Sequence, residues 1–497
     1  MKSFRVTHSH IVSICAMTLM LLVFGYIREA VCETINFEQA LDIALNRSSQ
    51  GEMIRGNLEV AEQNYFARRI NFYLPEISIN GSVPSYNEDE SYRFFGGATE
   101  KRLYKTRVLE YSSFIALDQS LIIGGDIRIT ANLLASDDRY PDTKTEAVEG
   151  SFINETTRLG DFTFSYTQPI LKPSDSKHEL HNKRDDLEIA RMTKHEDASN
   201  LKKEVIEAYF GVLQLILKNE MHSDMLESAN LTAAIDSMKF LDGVISEEDW
   251  LTSKSNRLEA ELQTFEVSNE LDEKRRELAI LLDKDPDIEL EPTIPAPPVP
   301  LSDTKQEIML SSIEKSVPVR KAELDYSKAD RQAKYAASSH GLNGDLTASY
   351  NTGQGEVETD GVTADIVTRG WEVALEFTYP IWDGGASGAD VKSARLTADQ
   401  ALLEYNRTLK STKAEVINLI DQLDVGYRRL EIIRKQIDLA FNKLDIAKSR
   451  LDDGQISMVT FLASKITYAE SRDKYLDELK NYLLNEESLD GKFRREG

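Results

Sequence analysis

Thirteen prolines are confined to residues 75–173, 286–318 and position 380, so residues 174–285 and 381–497 lack the strongest helix breaker. Both stretches are expected to be mostly helix. In the second, Ile437, Ala440, Leu444, Ala447 and Leu451 recur at alternating steps of three and four, as do Ile420, Leu423, Tyr427 and Leu430 one phase earlier. Charged residues lie between them, which is the pattern of a coiled-coil-like seam. The run of about 70 residues between Pro173 and Gly243 would measure roughly 100 Å as one helix. A compact domain has no use for a rod of that length.

Short alternating segments precede these runs. Trp371, Val373, Leu375, Phe377 and Tyr379 face one way, with Glu372, Ala374, Glu376 and Thr378 facing the other. Phe162, Phe164 and Tyr166 alternate with Thr163, Ser165 and Thr167, and Leu346, Ala348 and Tyr350 with Asp345, Thr347 and Ser349. Each predicts a half-buried strand. A soluble sandwich accommodates them, and so do strands with lipid on one side and water on the other. The polar stretches 136–160 and 351–370 read as solvent-exposed loops, and Ser113–Leu121 and Asp126–Leu133 around Gly124-Gly125 read as extra strand material without a counterpart in the second half.

One displacement aligns the two halves of the chain. Pro169-Ile170 and Pro380-Ile381 lie 211 residues apart, and so do Lys202, Glu204, Val205 and Ile206 from Lys413, Glu415, Val416 and Ile417. The same offset, without a gap, carries Asp242, Gly243, Ile245, Ser246, Leu251, Ser253 and Lys254 onto Asp453, Gly454, Ile456, Ser457, Leu462, Ser464 and Lys465. A tandem repeat is expected: residues 33–290 as the first unit with an extra strand and loop segment at about 84–160, and residues 302–497 as the second. Between them, 291–301 (EPTIPAPPVPL) reads as an extended polyproline linker. The repeated Asp-Gly-x-Ile-Ser predicts a helix–helix turn, with glycine in the left-handed cap of one helix and serine at the N-cap of the next.

The amino terminus reads as an address. Lys2 and Arg5 precede the apolar run Ile11–Tyr26, and Ala30-Val31-Cys32 offers small residues where a signal peptidase reads, so residues 1–32 are expected to be a secretory signal with the mature chain starting near Glu33. Acylation of Cys32 is the lesser alternative, because Val31 and Glu29 fit a lipoprotein signal poorly. Cys15 and Cys32 are the only cysteines, which leaves neither a disulfide framework nor a cysteine-based metal site. With 84 acidic against 59 basic residues, a basic nucleic-acid footprint is excluded as the default. No later segment has the apolar length of a membrane-spanning helix.

Taken in order, these residues resemble the TolC-like outer-membrane efflux protein family over essentially the whole mature chain. The pattern runs through Ile35-Asn36-Phe37-Glu38-Gln39-Ala40-Leu41, Leu74-Pro75-Glu76-Ile77, Thr167-Gln168-Pro169-Ile170-Leu171, Tyr379-Pro380-Ile381-Trp382-Asp383-Gly384-Gly385 and the two Asp-Gly turns. The resemblance implies an α+β fold: a homotrimer whose strands close one β-barrel in outer-membrane lipid, continuous with a periplasmic barrel of long antiparallel coiled-coil helices. A chain with about four principal strands cannot close a barrel alone, and open sheet edges are not tolerated in hydrocarbon, so several copies must share one. Pro75, Pro169 and Pro380, with Gly384 and Gly385, would mark the strand–helix junctions.

Two departures stand out. Gly341-Leu342-Asn343-Gly344 stands where the family usually has Leu-Pro before a strand, so Leu342 leaves that junction without its proline. Thr460 and Ala463 occupy the positions of the paired aspartates that ring the periplasmic mouth of some members, so that cation-binding ring does not carry over. Glu247, Glu248, Asp249, Asp452 and Asp453 bring other carboxylates near the same turns.

Catalytic signatures are missing: there is no Gly-x-Ser-x-Gly, His-Glu-x-x-His or P-loop motif, and Gly353-Gln354-Gly355 lacks the context of a phosphate loop. His178 and His181, with His195 further on, have the spacing of a metal pair, but with no identified third ligand an incidental surface pair is the better reading. No enzyme, cofactor or metal is expected. The expected function is a passive outer-membrane exit duct of a Gram-negative bacterium, opened when a periplasmic adaptor (membrane fusion) protein and an inner-membrane transporter dock at the turns around Gly243 and Gly454. Drug efflux, metal efflux and type I protein secretion all use such a duct, and the sequence does not separate them. The competing reading is a non-channel periplasmic coiled-coil scaffold or tether.

Overall fold

A computed structural model describes residues 32–82, 84–94, 101–142, 152–171, 173–286 and 289–493; the signal at 1–32 falls almost wholly outside them. The elements are β1 Cys32–Ile35, α1 Phe37–Asn46, α2 Ser49–Tyr73, β2 Glu76–Gly81, β3 Ser85–Phe94, β4 Lys101–Ser120, β5 Asp126–Pro141, β6 Phe152–Pro169, α3 Asp175–Leu241 and α4 Glu247–Leu281. There follow β7 Glu289–Pro292, α5 Asp303–Ser311, α6 Val317–Ser339, β8 Asn343–Thr359, β9 Val362–Thr378, α7 Ala386–Asp452 and α8 Met458–Asp490. The two proline-free stretches are helical as expected. α3 and α7 each run 67 residues, and Asp175 and Ala386 stand 211 positions apart, as do Leu241 and Asp452.

Contacts divide the chain into two compact units that cut across the sequence halves. One holds Leu58–Arg191 and Lys321–Arg407, and with them every strand from β2 to β6 and β8 to β9. These form a single antiparallel sheet in the order β2-β4-β5-β6-β8-β9, with β3 pairing β4 beyond β2. Gly81 opposes Ser113 and Ser85 opposes Glu110, so β2 and β3 pair with consecutive stretches of β4 and together line one side of it. The sheet therefore crosses its own width six times per chain, where four principal strands were expected.

The described residues of the polar stretches 136–160 and 351–370 are mostly strand where loops were expected. The chain stays extended in β5 to Pro141 and in β6 from Phe152, and β8 and β9 pair without interruption up to Thr359 and Val362. Only Asp360 and Gly361 turn, with φ of 47° and 81°, the left-handed pair that a two-residue hairpin requires. These segments carry polar residues on both faces, so nothing in their periodicity marks them as strand. The segment 291–301 also departs from expectation: Glu291 and Pro292 belong to β7, which pairs in parallel with β1, and only the residues after it lack regular structure.

The other unit takes Met192–Arg320, the chain from Thr408 onward and the described residues up to Asn57. Its core is a file of apolar side chains drawn from α1, α3, α4, α7 and α8, with Val205, Tyr209, Phe210, Leu278 and Leu479 all buried completely. Along α7 the inward seam is the one read from the sequence: Ile420, Leu423, Leu430 and Ala447 are buried, and Tyr427, Ile437, Ala440, Leu444 and Leu451 half-buried.

Candidate functional site

Directly opposed residues of an antiparallel sheet share a face, so the pairing register sorts every side chain. Phe164 opposes Ile129 on one side and Tyr350 on the other; Ile129 opposes Leu117, Leu117 opposes Ile77, and Tyr350 opposes Trp371. That single row puts six large apolar side chains on one face of six successive strands. The rows beside it add Tyr166 with Ile127, Ala348 and Val373, and Phe162 with Ala131, Ile115 and Ile79. Trp371 is 79% and Ile79 77% exposed, which is not how a folded chain leaves such residues in water.

From Val367 to Phe377 this face spans about 34 Å of strand, or about 24 Å in height for strands inclined by about 45°. Arg369 is its one charged position on β9, near the end where Arg158 and Glu356 form an ion pair at 3.0 Å and Asp365 opposes Glu356 in the register. The opposite face is polar. Glu372, Ser349, Ser165, Arg128 and Asp118 form one row across it, and Glu376 opposes Asp345.

At the other end of the band the chain changes from strand to helix. Pro75 lies between α2 and β2, Pro169 ends β6, and Pro380 follows β9, so each proline stands where its missing N–H interrupts no internal ladder bond. Exposed apolar pairs cluster here: Tyr73-Leu74, Ile170-Leu171, Ile381-Trp382, and Ile122-Ile123 in the turn between β4 and β5. Leu342, where proline was expected, is compensated by Asn343, whose side-chain amide donates to the carbonyl of Ser339 at the end of α6 at 3.2 Å.

The Trp-Asp-Gly-Gly stretch has a local physical reason. Gly384 and Gly385 take φ of 72° and 90°, and the turn they make returns the Asp383 carboxylate over the first turn of α7. There it accepts from the Ser387 hydroxyl, from the Ser387 amide at 2.8 Å and from the Gly385 amide at 2.9 Å. These donors, the Ser387 hydroxyl foremost, hold its pKa down to about 2. A depressed carboxylate stabilises the fold above its unfolded pKa of about 3.9 and loses that contribution as pH falls through the folded value. Pepsin cleavage beside Trp382 is therefore expected to be slower in the native chain than in Asp383→Asn at pH 4, and equal in the two once the pH is below 2. Equal rates at pH 4 would refute the cap.

The two Asp-Gly turns close with the same pair of backbone hydrogen bonds. Gly243 (φ 73°) donates to Phe240 and Val244 to Lys239; Gly454 (φ 69°) donates to Leu451 and Gln455 to Arg450. Each is a Schellman closure of a long helix. Ser246 then caps α4 by accepting from the Asp249 amide at 3.1 Å, and Ser457 caps α8 by accepting from Thr460 at 3.3 Å. Thr460 is thus part of the cap, its hydroxyl 3.0 Å from that of Ser457, while Asp249 completes a capping box in the other turn. Asp242, Ile245, Asp453 and Ile456 complete these turns. The first turn is fastened further: Phe240 stacks on Trp250 at 4.8 Å, and Asp236 is held anionic by the Ser253 hydroxyl and Lys239.

Sequence reading missed a second apolar stripe on α7. Leu396, Leu403 and Ile417, then Val425, Ile432, Leu439 and Ile446, are all exposed, and outside one extra residue after Ile417 they keep a period of seven. On α4, Leu251, Leu258 and Phe265 do the same. Heptad spacing on an exposed face marks a packing surface for another helix. His178, by contrast, stacks on Tyr335 at 4.4 Å and lies 3.0 Å from the Gln332 side chain, and His181 bonds the Lys177 carbonyl at 2.7 Å.

Residues 311–491 match the sequence model of the family described as Outer membrane efflux protein. No curated protein matches the chain. In fold it is similar to the Campylobacter jejuni CmeC outer membrane channel, at 13% identity and a TM-score of 0.61, over 93% of this chain and 87% of that one. It is also similar to the outer membrane protein VceC of Vibrio cholerae (14%, TM-score 0.56, 91% and 94%) and to the open state of the Neisseria gonorrhoeae MtrE outer membrane channel (15%, TM-score 0.53, 92% and 88%). The resemblance read from the residues thus holds in sequence over the second half and in fold over nearly the whole chain.

Proposed function

We propose that this chain is a passive exit duct in the outer membrane of a Gram-negative bacterium, with its long helices extending into the periplasm. The observation that carries the reading is the apolar band across six strands, of hydrocarbon height, backed by a polar face that suits water. A periplasmic scaffold or tether has no use for such a band. The duct is a homotrimer. Its support is the pair of exposed heptad stripes on α4 and α7, which a neighbouring copy would cover, and the unpaired sheet edges, which hydrocarbon does not tolerate. The matching 67-residue helices, the common offset and the twin turns support a duplicated unit.

Opening would consist in splaying of the helix pairs at Gly243 and Gly454 when a periplasmic adaptor and an inner-membrane transporter dock there, with energy supplied by the transporter. No covalent step is involved. Glu372 and Glu376 on the polar strand face set a field that favours cations. Protein extracted from membranes and placed in planar bilayers is expected to conduct in discrete, cation-preferring steps, and Glu372→Gln with Glu376→Gln to reduce that preference while conductance persists. An intact chain recovered from the soluble fraction, with no conductance from any membrane-extracted oligomer, would establish the tether instead.

A further inference from the structure

The β4–β5 hairpin is the part of the sheet that the sequence halves do not share, and the structure builds it into the wall on equal terms. Its pairing is continuous on both sides: β4 with β2 from Glu76 opposite Asp118 to Gly81 opposite Ser113, and β5 with β6 from Asp126 opposite Thr167 to Pro141 opposite Phe152. Its faces obey the same sorting. Ile115, Leu117, Ile127, Ile129, Ala131 and Leu133 fall on the apolar side, and Asp118, Arg128, Thr130 and Asn132 on the polar side.

The level of its turn also matches. Gln168 donates to the Ile123 carbonyl at 3.4 Å, and Gln119 to the carbonyl of Phe72 at 3.3 Å, so residues 121–125 lie beside the junctions that end β6 and α2. Ile122 and Ile123, exposed at that turn, continue the apolar collar formed by Tyr73-Leu74, Ile170-Leu171 and Ile381-Trp382. A hairpin folded away from the wall would have no reason to repeat both the face pattern and the collar.

Two edges are left. β9 has no partner beyond β8 among the described residues, and on the far side β2 with β3 pairs only β4. The chain alternates direction at every crossing, so the first strand runs antiparallel to the sixth, and β9 of one copy meets β2 and β3 of the next in the same antiparallel sense as every other pair in the sheet. Six strands are fewer than the eight of the smallest membrane barrels. A closed wall therefore needs further copies of this chain, with β9 docking on the β2–β3 edge of its neighbour.

We propose that the duct is closed by six strands from each chain and, resting on the trimer reading above, that it is an 18-stranded barrel whose added hairpin widens the outer mouth. With strands about 4.8 Å apart and inclined by about 45°, 18 strands give a backbone radius of about 20 Å, against about 13 Å for the 12 that four strands per chain would form.

Single-cysteine variants of the full chain in native membranes test this. Replacing Arg128, Thr130 or Asn132 by cysteine is expected to give labelling by a charged aqueous methanethiosulfonate, and replacing Ile127, Ile129 or Ala131 labelling only by a lipid-soluble maleimide, with the same alternation at Glu372 and Val373. Cysteines paired across the edges, scanned from Val373 to Leu375 against Ile77 to Ile79, are expected to yield a covalent ladder that ends at three chains. Alternation retained in β9 but lost in β5 would overturn the six-strand wall and leave the duct standing. Alternation lost in both, together with absent bilayer conductance, would overturn the duct itself.

Discussion

Val373→Arg is expected to remove the protein from the outer membrane, whereas Glu372→Arg, one residue away, is expected to leave it assembled. Val373 lies on the apolar face between Trp371 and Leu375, near the middle of the band, opposite Ala348. Arginine on a lipid-facing strand position at that depth costs about 2–4 kcal/mol. Every copy carries the change, so the proposed trimer would bear roughly 6–12 kcal/mol, comparable with the whole stability of an ordinary domain. Side-chain snorkelling reduces the cost least at mid-depth, because the charged head has the farthest to reach. Glu372 points the other way, into the row of Ser349, Ser165 and Arg128, where water solvates either sign of charge. The measurement is the amount of heat-modifiable oligomer in the outer-membrane fraction at matched expression. Val373→Arg should fall to less than a tenth of the native amount and Glu372→Arg should stay within a factor of two, its channels shifted toward anions. Equal assembly of the two variants would mean that the face assignment is wrong.

The helices, the caps and the junctions were legible because each rests on local chemistry. Gly243 and Gly454 must take positive φ, Ser246 and Ser457 must offer an oxygen to an amide three residues on, and prolines mark where ladders end. The strands were legible only where one face is uniformly large and apolar, as from Trp371 to Phe377. In β4 and β5 the same face is diluted by Ser113, Ala131 and Gln119, and the polar face carries Phe114 and Leu134, so the alternation falls below recognition until the pairing register aligns each strand with its neighbours. Farther out, Thr156, Arg158, Glu356 and Glu358 replace apolar residues on that face, and a strand polar on both sides reads as a loop. The stripe from Leu396 to Ile446 was present at heptad spacing but was masked by the stronger inner seam of the same helix. A helix that packs on two sides carries two superposed periods.

Tyr209→Ala is expected to cost about 3–5 kcal/mol per chain, the range for truncating a buried aromatic residue, and to release the amino-terminal strand with it. Tyr209 is fully buried in α3, edge-on to Phe37 at 5.4 Å, and its hydroxyl is shared among three backbone groups: the Thr293 carbonyl at 2.6 Å, the Ile35 carbonyl at 3.1 Å and the Thr293 amide at 2.9 Å. Ile35 ends β1 and Thr293 follows β7, so one side chain ties the parallel β1–β7 pair, and with it the start of the segment joining the two halves, to the helix core. Tyr209→Phe keeps the ring and loses only the hydroxyl, which costs about 1–2 kcal/mol because a buried polar group loses its partner. Hydrogen exchange separates the two effects. Tyr209→Phe should raise exchange only at the Thr293 amide, which donates to the hydroxyl, while Tyr209→Ala should raise it throughout β1, β7 and α1 and lower the denaturant midpoint of the oligomer. A loss below about 1 kcal/mol for alanine would show that the core closes over the cavity, and that the segment between the halves is held by something other than this residue.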